Sequence, residues 1–104
     1  MAQIIRISRE EAERRLSNVP EGHMFWCCNG STFRNMRDLE EAFYGMKDDI
    51  FAYHSNEYKN DFSNWVNDII GDDKLARDLL KAHDKVRAAK FVSDRIAFLS
   101  AKLS

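Results

Sequence analysis

The stretch FAYHSNEYKNDFSNWVNDIIGDD, Phe51 to Asp73, decides how the rest of the chain is read. Within it Phe62, Trp65, Val66, Ile69 and Ile70 recur at i, i+3, i+4, i+7 and i+8. On an α-helix that spacing gives one broad apolar stripe. Asn60 stands just before the stripe, where its side chain can accept from a free amide of the first turn. Asp61 follows, near the positive end of the helix dipole. Gly71 sits where a helix commonly ends on a left-handed residue, and Asp72 is placed to cap the next helix. A helix from Asn60 to about Ile70 is therefore expected, with Phe62, Trp65 and Ile69 central to the core.

Working outward, Asn35 is a cap for an upstream helix and Asp38 lies in its first turn. Met36, Leu39, Phe43, Met46, Ile50 and Tyr53 are spaced three or four apart and predict one continuous helix ending near His54-Ser55-Asn56. Gly45 lies inside it, at a cost of about 1 kcal/mol relative to Ala. Downstream, a helix from Asp73 to Ala82 is expected to bury Leu75, Leu79 and Leu80. A last helix, Asp84 to Leu103, carries Ala89, Val92, Ile96, Leu99 and Leu103 on one stripe and Ala88, Phe91 and Phe98 beside it. Its apolar face is wide.

Toward the N-terminus, residues 3–7 (QIIRI) read as a short strand. Ser8 and Glu11 fit a reciprocal capping box for a helix from Arg9 to Ser17 that buries Ala12 and Leu16, ended by Pro20 and Gly22. His23 to Cys28 is an apolar run bounded by the turn signal Asn29-Gly30, with a return over Ser31 to Arg34. The expected fold is mainly α: a single domain, residues 1–104, built as a compact bundle of four to five helices. A small two- or three-stranded β-element from residues 3–7 and 23–34 can be added to it.

Composition narrows the function by exclusion. The chain of 104 residues is 44% hydrophobic and 12% aromatic, enough for a core, and its formal net charge of -1 gives no basic excess for neutralising phosphates. Nucleic acid is thereby disfavoured as a partner. No run approaches the ~20 apolar residues that cross a bilayer, and the N-terminus has no apolar signal segment, so no membrane partner is expected. The only cysteines, Cys27 and Cys28, are adjacent. Neighbouring cysteines bridge only with strain, so neither a disulfide framework nor a four-cysteine zinc site is expected, and the reducing cytoplasm is the expected setting.

The run Phe51, His54, Asn56, Lys59-Asn60-Asp61-Phe62, Trp65, Asp68, Gly71-Asp72, Leu75-Ala76 resembles a family of small archaeal and bacterial domains of unknown function. Their shared pattern is F-x-x-H-x-N-x-x-K-N-D-F-x-x-W-x-x-D-x-x-G-D-x-x-L-A. Phe25/Gly30 and Leu39/Met46 agree with the upstream part of that pattern loosely. The close match covers about a quarter of the chain. The resemblance implies a compact, mainly helical domain and carries no activity to this sequence.

Four groups of residues bear on chemistry. Tyr53, His54, Asn56, Lys59, Asn60, Asp61 and Asp68 are the candidate contact residues for a ligand or partner. Imidazole and carboxylates suit a metal or a small polar ligand. The plainer reading has Asn60 and Asp61 capping a helix while His54 bonds a nearby carbonyl or carboxylate, and no metal ligands are assigned. The aromatic set Phe25, Trp26, Phe51, Tyr53, Phe62 and Trp65 reads mostly as core, with Trp26 and Tyr53 the candidates for exposure. Cys27 and Cys28, with His23 nearby, read as buried, inert thiols. The basic residues Arg6, Arg9, Arg14, Arg15, Lys81, Lys85, Arg87, Lys90 and Arg95 interleave with acids and read as solvated helix faces.

No phosphate-binding glycine loop, zincin motif or nucleophile elbow is present, so no catalytic residue and no cofactor is assigned. The leading expectation is a non-catalytic interaction or regulatory module acting through a protein partner or self-association, motivated by the wide apolar face of the last helix. The alternative is a small-ligand or metal-binding domain using His54 to Asp68. A third reading is a DNA-associated helical protein.

Overall fold

Polar caps set the helix starts, and the apolar stripes then set how the helices meet. The computed structural model describes residues 6–104. Ser8 opens α1 (Arg9–Leu16), its hydroxyl accepting from the Glu11 amide at 3.0 Å. The Glu11 carboxylate does not return the favour as a capping box would. It takes the guanidinium groups of Arg14 and Arg15 instead, and their hydrogen bonds hold its pKa down at about 2. The strand reading for residues 3–7 falls largely on Gln3 to Ile5, outside the described residues; Arg6 and Ile7 have no regular structure.

A 3-10 turn, Glu21–His23, leads into a small hairpin. β1 (Phe25–Trp26) pairs antiparallel with β2 (Thr32–Phe33), with Phe25 opposite Phe33. The Gly30 amide closes the turn onto the Cys27 carbonyl at 2.9 Å, and the Cys27 amide reaches the Ser31 carbonyl at 2.8 Å. That three-residue loop needs a left-handed residue, and Gly30 supplies it at φ 93°. The side chains alternate as a pleat requires: Phe25 and Phe33 face the core, and Trp26 faces solvent.

The single helix expected after Asn35 is two. α2 (Met36–Gly45) and α3 (Asp48–His54) are separated at Met46 and Lys47, both in extended conformation. Gly45 weakens the helix here, and Asp48 and Asp49 favour a new positive N-terminus two residues later. The Lys85 ammonium hydrogen-bonds the Met46 carbonyl, so the freed acceptor is not left alone. The break rotates α3, which buries Phe51 and His54 and leaves Tyr53 exposed.

α4 starts at the Asn60 cap (Asp61–Trp65) and runs on as a π-helical turn, Val66–Ile70. Gly71 closes it at φ 81°, and the amides of Gly71 and Asp72 both reach the Val66 carbonyl. α5 (Asp73–Leu80) follows its Asp72 cap, and α6 (Lys85–Ala101) follows an Asp84 cap. Leu75 and Leu79 are buried as expected, but Leu80 is 60% exposed. Neighbours on a helix point about 100° apart, so with Leu75 and Leu79 inward Leu80 is turned off the buried face, to the edge of a groove beside the α3–α4 loop.

The result is a mainly helical fold with a two-stranded sheet near the N-terminus. α6 is its spine, packed on α1, α2 and α5. The aliphatic half of the core gathers on α6 around Ala88, Ala89, Val92, Ile96 and Leu99. The aromatic half gathers on Phe62, whose ring meets those of Phe25, Phe43, Phe51 and His54 at centroid distances of 5.0–5.7 Å.

Two residues read as part of a solvated basic face are ion-paired inside. The Asp72 carboxylate is fully buried. One oxygen caps α5 by accepting from the Leu75 amide at 2.8 Å. The other accepts from Arg95 Nε at 2.9 Å and Arg15 Nη1 at 3.1 Å. One carboxylate thus ties α1, α5 and α6 together.

Candidate functional site

The C-terminus of α3, the N-terminus of α4 and the hairpin loop converge on His54, which is 4% exposed. Its Nε2 accepts from the Cys28 backbone amide at 3.0 Å. A ring nitrogen that accepts from an amide carries no proton, so the proton is on Nδ1. There it donates to Asp61 Oδ2 at 2.9 Å. The same oxygen takes the Lys59 ammonium at 2.9 Å. Desolvation pushes the Asp61 carboxyl up, but the bonds from Lys59 and His54 outweigh it and hold its pKa below the ordinary value. Lys59 also stands 4.6 Å over the Tyr53 ring.

Asn60 and Asn56 build the loop between α3 and α4. Asn60 Oδ1 accepts from the Ser63 amide at 2.9 Å, and its Nδ2 reaches Ser55 Oγ and the Leu79 carbonyl. Asn56 Nδ2 reaches the Ala52 carbonyl at the end of α3, and its Oδ1 accepts from the Tyr58 amide. Both side chains are therefore committed within the protein, and Asn60 caps α4 as the plainer reading of the cluster expected. Tyr53, His54, Lys59 and Asp61 form one contacting group. Asp68 does not join it: the side chain is exposed about two turns along α4 and bonds Asn67.

The partner of the cysteines is His54, not His23. The His23 side chain is exposed on the 3-10 turn, where its carbonyl accepts from Trp65 Nε1 at 2.8 Å. Cys27, Cys28 and His54 each place a ligand atom within 4.8 Å of the other two. Cys27 is buried as expected, but Cys28 is exposed, because the pleat alternation continues into the loop. Partial desolvation and the neighbouring Cys27 thiol raise the pKa of Cys28. In the sequence the two halves of this grouping lie in the apolar run HMFWCCNG and in the polar stretch YHSN. Nothing local to either says that they meet.

Beside this cluster lies an open groove of about 550 Å³, between the α3–α4 loop and the segment after α5. Asn56, Lys59 and Asn60 line one wall, and Leu80, Ala82 and His83 line the other. Tyr58, at the loop tip, is 88% exposed. Among the described residues no helix is long and apolar enough to cross a membrane. No protein-family model, curated protein or solved structure matches this chain.

Proposed function

We propose that the protein is a non-catalytic interaction module whose partner segment docks in the groove beside the α3–α4 loop. The observation that carries this reading is the pair Tyr58 and Leu80, two large apolar side chains left in solvent on the groove's walls. Exposed aromatic and aliphatic groups around a concavity are what a partner segment needs for anchoring. The wide apolar face of α6, the first motive for an interaction module, gives less support. Ala88, Val92 and Leu99 on it are covered by the protein's own core, leaving mainly Phe98 and Val86 outside.

The non-catalytic part of the reading rests on His54. Cys28, His54 and Asp61 look like a nucleophile, base and orienting acid in series. A working base must hold its lone pair toward the thiol. The Nε2 lone pair of His54 is given to the Cys28 amide, and the Cys28 thiol sits above its ordinary pKa. Both features oppose formation of a thiolate nucleophile.

A photo-crosslinking residue at position 58, expressed in source cells, tests the groove. One defined species should be captured, and Leu80→Glu should abolish its capture while leaving the unfolding free energy within about 0.5 kcal/mol of wild type. Capture of a second copy of the chain would make the module self-associating. Capture no greater than from a crosslinker at exposed Glu13 on α1 would overturn the proposal.

A further inference from the structure

We infer that Cys27, Cys28 and His54 form a binding site for a thiophilic d10 cation, zinc(II) or copper(I). This inference stands independently of the groove. Two thiolates and an imidazole are the soft and borderline donors that both ions select. The three donor atoms already lie within 4.8 Å of one another. With metal–sulfur bonds of about 2.3 Å and metal–nitrogen bonds of about 2.0 Å, tetrahedral donors stand roughly 3.4–3.8 Å apart. The set must therefore close by no more than about 1.4 Å. Cys28 is exposed in a hairpin loop, so rotation of its side chain can supply that closure.

The imidazole is already prepared as a ligand. The Asp61 carboxylate holds the ring proton on Nδ1 at 2.9 Å, which makes Nε2 the lone-pair nitrogen and turns it toward the cysteine loop. A carboxylate behind a metal-binding histidine is the usual way of fixing tautomer and ring orientation. On binding, the ion replaces the Cys28 amide at Nε2, both thiols release their protons to solvent, and Nδ1 keeps its proton. Two thiolates neutralise a divalent ion and leave net negative charge on a monovalent one. Lys59, bound to Asp61, lies on the same side to offset that charge. With three protein donors, the coordination position beside exposed Cys28 stays open to solvent.

The test titrates the reduced, metal-free full-length chain without oxygen, in separate arms of zinc(II) and copper(I), each against a chromophoric chelator. One ion per chain is expected in at least one arm, and that arm identifies the ion. The affinity should fall as pH falls, because protons compete for the thiolates. Cys28→Ser keeps the amide bonded to His54 and leaves the core untouched, yet should lose the stoichiometric binding. Asp61→Asn can still accept from Nδ1 and should weaken binding about 10–100-fold while the protein stays folded. Absence of one-to-one binding in both arms, or equal binding by wild type and Cys28→Ser, would overturn the inference.

Discussion

Phe62→Ala is expected to lower the unfolding free energy by about 3–5 kcal/mol, a large part of the total for a domain of this size. Phe62 is 1% exposed at the start of α4, and four rings from the hairpin, α2 and α3 close on it. Removing the ring leaves a void whose walls belong to three separate elements, the hairpin, α2 and α3. They cannot collapse together without moving the hairpin, which His54 also holds. Equilibrium urea unfolding measures the loss. Phe98→Ala is the control, since that ring lies 46% exposed under Arg95 and Lys102, and it should change stability by no more than about 0.5 kcal/mol. A Phe62→Ala loss below about 1 kcal/mol would mean that α4 is not the centre of the aromatic core.

Asp72→Ala should cost as much, about 3–5 kcal/mol, by a different route. The substitution leaves the Arg95 guanidinium buried without a counter-charge, while Arg15 keeps only its bond to Glu11. It also removes the α5 cap, which alone is worth about 1 kcal/mol. Asp72→Asn separates the two effects, because its amide oxygen can still accept from the Leu75 amide. It should recover roughly the cap contribution and no more. A double-mutant cycle of Asp72→Asn with Arg95→Met should be non-additive, the second change relieving a stranded charge. Additive losses would show that the carboxylate acts only as a cap.

These two residues also mark what a sequence can reveal about this fold. Local rules were sufficient for four of the helix starts: Ser8, Asn35, Asn60 and Asp72 each accept from the amide three residues on, as their types and places suggested. Gly71 ends α4 in the left-handed conformation for the same kind of local reason. The split between α2 and α3 was less visible. The apolar spacing runs straight through it, and only Gly45 followed by Lys47-Asp48-Asp49 hints at an end and a new start. Leu80 misled because it borders the stripe of Leu75 and Leu79 without lying on the buried face.

Long-range pairings were not legible at all. Arg95 and Arg15 look like other surface cations until Asp72, 23 and 57 residues away, is seen between them. The candidate site divides in the same way. The run from His54 to Asp61 was found from composition, and its capping roles followed from spacing. The second half of the site, Cys27 and Cys28, comes from a hairpin 26 residues upstream of His54. Sequence proximity pointed instead to His23, whose ring faces solvent and contributes only its carbonyl, to Trp65.

One buried imidazole joins the hairpin to α4, taking a hydrogen bond from Cys28 and giving one to Asp61. Long-range proton–nitrogen correlation NMR on the native protein at neutral pH tests it directly. His54 should show a protonated, pyrrole-type Nδ1 and an unprotonated, pyridine-type Nε2, and Asp61→Asn should move the Nδ1 proton resonance. A His54 ring protonated at Nε2, or at both nitrogens, could not accept from the Cys28 amide. That result would contradict the clasp and remove His54 from the donor set for a metal.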